Sequence, residues 1–307
     1  MASIGDTMTR KEIIRRLYTR KELNTLAKKA SEAVEENLNS GNYRMTAIYT
    51  YDLAQIYELL GDEKKAENHY ESAIAYLSHA YAQPILIKLG SLYALGRVHE
   101  ALKAELGDDF PSEFWLAFLH EKAGNHDTAK QLYTELALSK SKTLEIVTFF
   151  YPHSFQEASD LWMRAQNMEK AHTYNKRAVE EWEKIKDTIV RLYPIEEAWL
   201  YEEIGYIYEK AHKFETAMEY YKKSESKYRL AYTKRHWNST SANQVDGDWD
   251  RRYREYFFKQ LFPENRFIDL TIDAGNYDFR RIKYRILNLE EWKSLSVSKN
   301  ESKKEKI

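Results

Sequence analysis

Residues 53–73 read LAQIYELLGDEKKAENHYESA, and the reading of this stretch decides the fold. A small residue, Ala54, stands three positions before Tyr57; Gly61 follows, and then Ala66, Tyr70 and Ala73. Residues three and four apart share one face of a helix, so each half of the stretch makes a helical stripe. Glycine takes the left-handed conformation that ends a helix and lets the chain reverse. The pattern therefore predicts two antiparallel helices joined at Gly61. It returns as Ala117, Gly124, Ala129 and Tyr133, and again in residues 204–224, IGYIYEKAHKFETAMEYYKKS, as Gly205, Tyr208, Ala217 and Tyr221. Two helices cross closely only where both carry Gly or Ala. Ala54 is thus expected to meet Ala66, and Gly205 to meet Ala217, with Tyr57, Tyr70, Tyr208 and Tyr221 filling the wedge beyond the crossing.

Composition agrees with long helices. The chain has 307 residues, 43% hydrophobic and 31% charged, with only 10 Gly and 5 Pro. So little turn punctuation leaves small room for sandwiches or barrels of short strands. It also withholds the glycine that a phosphate-cradling α/β enzyme uses. Two further copies are degenerate. Leu89-Gly90-x-x-Tyr93 opens one, but Ala101 arrives one residue early and the second helix is cut short near Gly107-Asp108-Asp109. Ser159-x-x-Trp162 opens the other, with Gln166 where glycine is expected and Ala171 and Ala178 behind it.

These small and aromatic positions resemble the tetratricopeptide repeat (TPR) family. The resemblance implies an all-α, right-handed superhelix of antiparallel helix pairs. Residues 1–41 read as a helical cap, 42–235 as about five helix pairs, two of them degenerate, and 236–307 as a small irregular C-terminal region. The cap begins with the capping-box signatures Thr9-Arg-Lys-Glu12 and Thr19-Arg-Lys-Glu22. In the C-terminal region Trp249–Leu261 reads as a helix. The alternation over Arg266–Thr271 and Arg281–Ile286 predicts a short hairpin, and Ser298–Ile307 a disordered tail.

In this family the first helix of each pair lines the concave face, which implies a groove of Ile48, Tyr51, Gln55, Glu58, Ile87, Ser91, Phe114, Phe118, Glu121, Trp199, Glu202, Tyr206 and Glu209. A scaffold or protein–protein interaction module binding a peptide or partner helix there is the functional reading. Aromatic residues on that face are expected to stand toward solvent as binding anchors. The Lys/Asn/Arg clamp by which some TPR proteins hold a terminal carboxylate is absent: Tyr51, Gln55, Ile87, Glu202 and Tyr206 occupy the matching positions. A partner with basic and apolar side chains suits these residues better than an acidic tail.

Charge is uneven although the formal net charge is only -1. The first thirty residues are basic, residues 46–136 are acidic, and residues 251–285 are basic again. Arg251, Arg252, Arg254, Arg280, Arg281 and Arg285 stand there among Tyr253, Tyr256, Phe257 and Tyr284. Basic residues interleaved with aromatics can contact single-stranded nucleic acid, which is the alternative function. The plainer expectation is that this end pairs with acidic residues of the repeats. Self-assembly through the convex face or the ends is the third reading. Zero Cys removes thiolate nucleophiles and sulfur-ligated zinc. None of the common phosphate-binding, serine-hydrolase or zinc-protease motifs occurs, so neither an enzyme nor a cofactor is expected. No apolar run approaches a membrane span and no signal core opens the chain, which predicts a soluble cytoplasmic protein with no membrane partner.

Overall fold

The computed structural model describes residues 10–81, 85–104, 110–146, 152–185, 194–233, 270–276 and 280–291. Among them the architecture is all-α, with no strand. They divide between two compact units, Met1–Ser112 with Phe262–Arg280, and Glu113–Leu261 with Arg281–Ile307.

The first unit holds α1 (Arg10–Arg15), α2 (Arg20–Asn39), α3 (Tyr43–Leu60), α4 (Glu63–Leu77), α5 (Ile85–Ala94), the single-turn α6 (Val98–Ala101) and a 3-10 helix over Thr271–Asn276. The capping box at Thr19 is formed: the Glu22 amide donates to Thr19 Oγ1 and the Thr19 amide to Glu22. Ala54 and Ala66 lie in one buried cluster with Tyr51, Tyr70 and Ala73, as the pattern requires. Successive helices pack from α2 through α6, and the first helices α3 and α5 also touch. The brevity of α6 agrees with the early Ala101.

The second unit holds α7 (Phe110–Lys122), α8 (His126–Ile146), α9 (Pro152–Arg164), α10 (Met168–Ile185), α11 (Pro194–Lys210) and α12 (Phe214–Thr233). The first helices α9 and α11 touch, and Leu144, Phe155, Ala158, Ala178 and Ile207 share a buried cluster. Gly205 sits so close to its partner helix that a Cβ there would stand 2.5 Å from Tyr221 and 3.2 Å from the Ala217 carbonyl.

Among the described residues six interhelical turns use a left-handed residue: Gly41, Gly61, Gly96, Gly124, Gln166 and His212, with φ of 73°, 83°, 71°, 81°, 59° and 58°. Gln166 and His212 hold the glycine's place and keep its conformation, so packing of the two helices, not local preference, sets the turn there.

Residues 280–291 are helical, which corrects the hairpin expected over Arg281–Ile286. The apparent alternation is a helical stripe. Arg281, Ile282 and Leu289 are buried on one face with Arg285 between them, while Lys283 and Glu290 are exposed. Helix α10 is described only to Ile185. Thr9, Trp249–Leu261, Arg266–Asp269 and Ser298–Ile307 lie outside the described residues.

Candidate functional site

The densest polar site among the described residues lies on the first helices of the second unit. Glu202, on α11, is 3% exposed. Arg281 grips it from the helix over residues 281–291, donating from Nε to Oε1 at 2.6 Å and from Nη2 to Oε2 at 2.7 Å. This is the planar two-point pairing that guanidinium makes with carboxylate. Arg285, one turn later on the same face, donates from Nε to the same Oε1 at 2.9 Å. The Tyr228 hydroxyl, from α12, donates to Oε2 at 3.0 Å and accepts from Arg281. Burial alone would push the Glu202 carboxyl up; Arg281 and then Arg285 outweigh it and hold the group below the usual carboxylate range.

Tyrosines extend the site. The Arg285 guanidinium lies 4.4 Å from the centroid of the Tyr206 ring and 5.9 Å from that of Tyr221. Tyr206 donates to Asp160 at 2.9 Å, and Gln156 holds the other oxygen of Asp160 at 3.0 Å. Asn175 in turn donates to Gln156 and to the Ile207 carbonyl. Burial raises the Asp160 carboxyl, against the opposing pull of Lys210 and the Tyr206 hydrogen bond. The repeats thus present a surface of carboxylates and phenols to two arginines from outside them.

A second device recurs in both units. The hydroxyls of Tyr70, Tyr133 and Tyr221 donate to Glu58, Glu121 and Glu209 at 2.7, 3.2 and 2.6 Å, each pair twelve residues apart. The three acids, expected to face the groove, are half-buried, and each ties the first helix of a pair to the second. The signal was present in the sequence as Glu and Tyr at constant spacing in the three registered copies.

In the first unit the expected groove residues fare differently. Ile48 and Ile87 are half-buried, and Ile87 packs on the Tyr51–Ala54 cluster. Gln55 is 1% exposed, and among the described residues neither its two amide atoms nor the buried Ser91 hydroxyl has a hydrogen-bond partner. One turn before Gln55, Asp52 accepts the Ile272 amide at 2.7 Å, so the 3-10 helix is held against α3.

The solvent-facing aromatic anchors are corrected. Tyr51 is buried with its ring 5.6 Å from Tyr70, and a Cβ on Gly90 would collide with its hydroxyl. Phe114 and Phe118 are fully buried, Phe114 against Tyr133 at 5.6 Å and Phe118 edge-on to Trp115 at 5.5 Å. Rings at these positions bury more apolar area between neighbouring helices than they would in an open groove. Trp199 and Tyr206 are partly buried.

The described arginines of the basic stretch are engaged by carboxylates. Arg280 pairs within the first unit with Glu22 and Asp273, both at 3.2 Å, donates to the Leu17 carbonyl, and lies over the Tyr18 ring. Arg281 and Arg285 pair with Glu202 in the second. Charge complementarity between this basic stretch and acidic helices supplies the reason, as desolvated guanidinium needs carboxylate partners. Arg251, Arg252 and Arg254 lie outside the described residues. Among the described residues no cluster of His, Asp and Glu gathers to hold a metal ion, and no helix is long and apolar enough to cross a membrane.

Residues 112–139 match the family model described as Tetratricopeptide repeat. No curated protein matches the chain. Among solved structures it is similar to the crystal structure of BtubC (BKLC) from P. vanneervenii, with 16% identity over 92% of this chain and 93% of that one and a TM-score of 0.26. The matched segment spans most of α7 and the first part of α8, with Ala117, Gly124, Ala129 and Tyr133 in the registered positions. Residues 112–139 thus match a tetratricopeptide repeat, and the described residues as a whole are all-α helices packed on their neighbours.

Proposed function

We propose that the chain is a non-catalytic protein-interaction module whose first-helix faces take a partner segment with basic and apolar side chains. The tetratricopeptide repeat at residues 112–139 supports a general interaction or scaffold role. The chemistry of the partner is carried by one observation: Glu202 and Tyr206, on the face assigned to binding, with Tyr228 of α12 beside them, already receive Arg281 and Arg285 from a helix outside the repeats. A surface that satisfies two guanidinium groups on a helix whose Ile282 and Leu289 are also buried has the complementarity such a partner needs. Nucleic-acid binding is the weaker reading, because three of its six proposed arginines are engaged by carboxylates.

A photo-crosslinking residue separates the faces. Placed at Ile87 or Trp199, on first helices, it is expected to capture a specific partner from the native host. Placed at His172 or Lys222, exposed on second helices, it should capture none. Equal capture from both sets would overturn the reading.

A further inference from the structure

Glu202 has an unusual division of partners. From the repeats it receives one neutral hydrogen bond, from Tyr228; both of its counter-charges come from the helix over residues 281–291. The rest of the seat holds itself together without that helix. Tyr206 is anchored to Asp160, Tyr221 to Glu209, and Asn175 to Gln156. The helix pairs close on their own small residues, Gly205 against Ala217, and Ser224 donates to the Ala198 carbonyl across α11 and α12. Removing residues 281–291 would therefore leave the polar seat in place. It would free a carboxylate and phenol hydroxyls, groups that water solvates well, and it would take away the buried side chains of Ile282, Tyr284 and Leu289, so any occupant must supply apolar contact as well as charge.

We infer that the helix over residues 281–291 is a displaceable internal occupant of the Glu202 seat, and that the partner which replaces it is a helix bearing two arginines four positions apart. This deepens the proposed function and rests on its reading of the first-helix face. The geometry specifies the competitor. Arg281 and Arg285 reach one carboxylate because they are a single turn apart, and Ile282 and Leu289 bury themselves on the same stripe. A partner helix with arginine at two positions i and i+4, aliphatic residues at i+1 and i+8 and an aromatic residue at i+3 matches the arginines and the buried apolar positions of this helix. Lysine does not, since an ammonium cannot make the two-point bond that Arg281 makes or lie flat on Tyr206. The internal helix is covalently tethered, which gives it a high effective concentration at the seat. Free partner thus binds the intact chain weakly, and any event that lifts the helix admits the partner.

The test uses the full chain and a fluorescent peptide of residues 280–291, RRIKYRILNLEE. Arg281→Ala/Arg285→Ala in the chain weakens the internal occupant and leaves the seat intact. The peptide is expected to bind this variant at least tenfold more tightly than the wild type. Adding Glu202→Gln should abolish the gain, and a peptide with both matching arginines changed to alanine should not bind. Hydrogen exchange on the unaltered chain supplies a readout that no substitution can spoil. Amides of residues 281–291 should exchange at least tenfold faster than the slowest amides of α11, because the helix opens while the repeats stay folded. Exchange of both at one rate would overturn the inference and leave the inner-face reading standing. An opening helix with no peptide binding to the folded double variant would overturn the inference and the basic-partner reading together.

Discussion

Changing Gly205 to Ala adds a single methyl group where the α11–α12 crossing has no space for it. The new Cβ would lie 2.5 Å from two ring carbons of Tyr221, whereas carbons in ordinary contact sit about 3.5–4.0 Å apart. Something must move by about 1 Å. Tyr221 is fully buried, and its hydroxyl is tied to Glu209 at 2.6 Å, so the ring cannot swing away without straining that bond. The Ala217 carbonyl, at 3.2 Å, blocks the other direction and belongs to the backbone. Overpacking of this kind costs about 1–3 kcal/mol, and weakening a hydrogen bond to a carboxylate adds about 1 kcal/mol. Alanine is the better helix former by about 1 kcal/mol and offsets part of the loss. The net expectation is destabilisation by about 2 kcal/mol, the sum of these three effects. Urea unfolding of the full chain, followed by far-UV circular dichroism, measures it. The sign should reverse in a Tyr221→Leu background, where the ring is gone and Gly205→Ala should stabilise by about 0.5–1 kcal/mol through helix propensity alone. Equal or greater stability of Gly205→Ala in the parent would refute the close crossing and with it the repeat register.

Two further outcomes are expected. Gln166→Gly and His212→Gly should each raise stability by about 0.5–1 kcal/mol, because both side chains are exposed and both residues hold a left-handed φ that glycine adopts without strain; thermal melting that falls for either would show a contact compensating the strain. Glu202→Gln should cost about 3 kcal/mol at pH 7, by leaving two desolvated guanidinium groups short of a counter-charge. Because the folded carboxyl titrates below its ordinary value of 4.5, its contribution is full above that value and is lost as pH falls through the depressed one. The stability gap between wild type and Glu202→Gln should therefore close in acid, and a gap independent of pH between 7 and 2 would show that Glu202 is not the charged partner of the arginines.

The helix pairs were legible because their causes are local. Small residues at Ala54, Ala66, Gly205 and Ala217, tyrosines at fixed offsets, and glycine at the turns act within about 20 residues of one another, and periodicity reports them directly. The degenerate turn at Gln166 was also visible as a departure from that pattern. Which side of a first helix faces solvent was not visible. Phe114 and Phe118 share a helical face with positions that line a groove in a regular superhelix, yet both are buried, Phe114 between Tyr133 of α8 and the Arg164 guanidinium of α9, and Phe118 edge-on to Trp115. Glu58, Glu121 and Glu209 carried a regular spacing to tyrosine that identified their role, but an acid on a helix surface is so often merely solvated that the spacing had to be seen as contact first.

By itself the sequence determined the helical class, the turns, the small-residue crossings and a basic C-terminal stretch suited to acidic partners. The tertiary structure alone decided where that stretch goes. Arg281 and Arg285 stand 79 and 83 residues from Glu202, and over such separations no periodicity constrains a pairing. A guanidinium leaving water needs a carboxylate with correct geometry, and the chain holds 48 acidic residues from which to find one. Only packing of α11, α12 and residues 281–291 selects Glu202 among them, because desolvation makes a mismatched pair costly and a two-point pair stable.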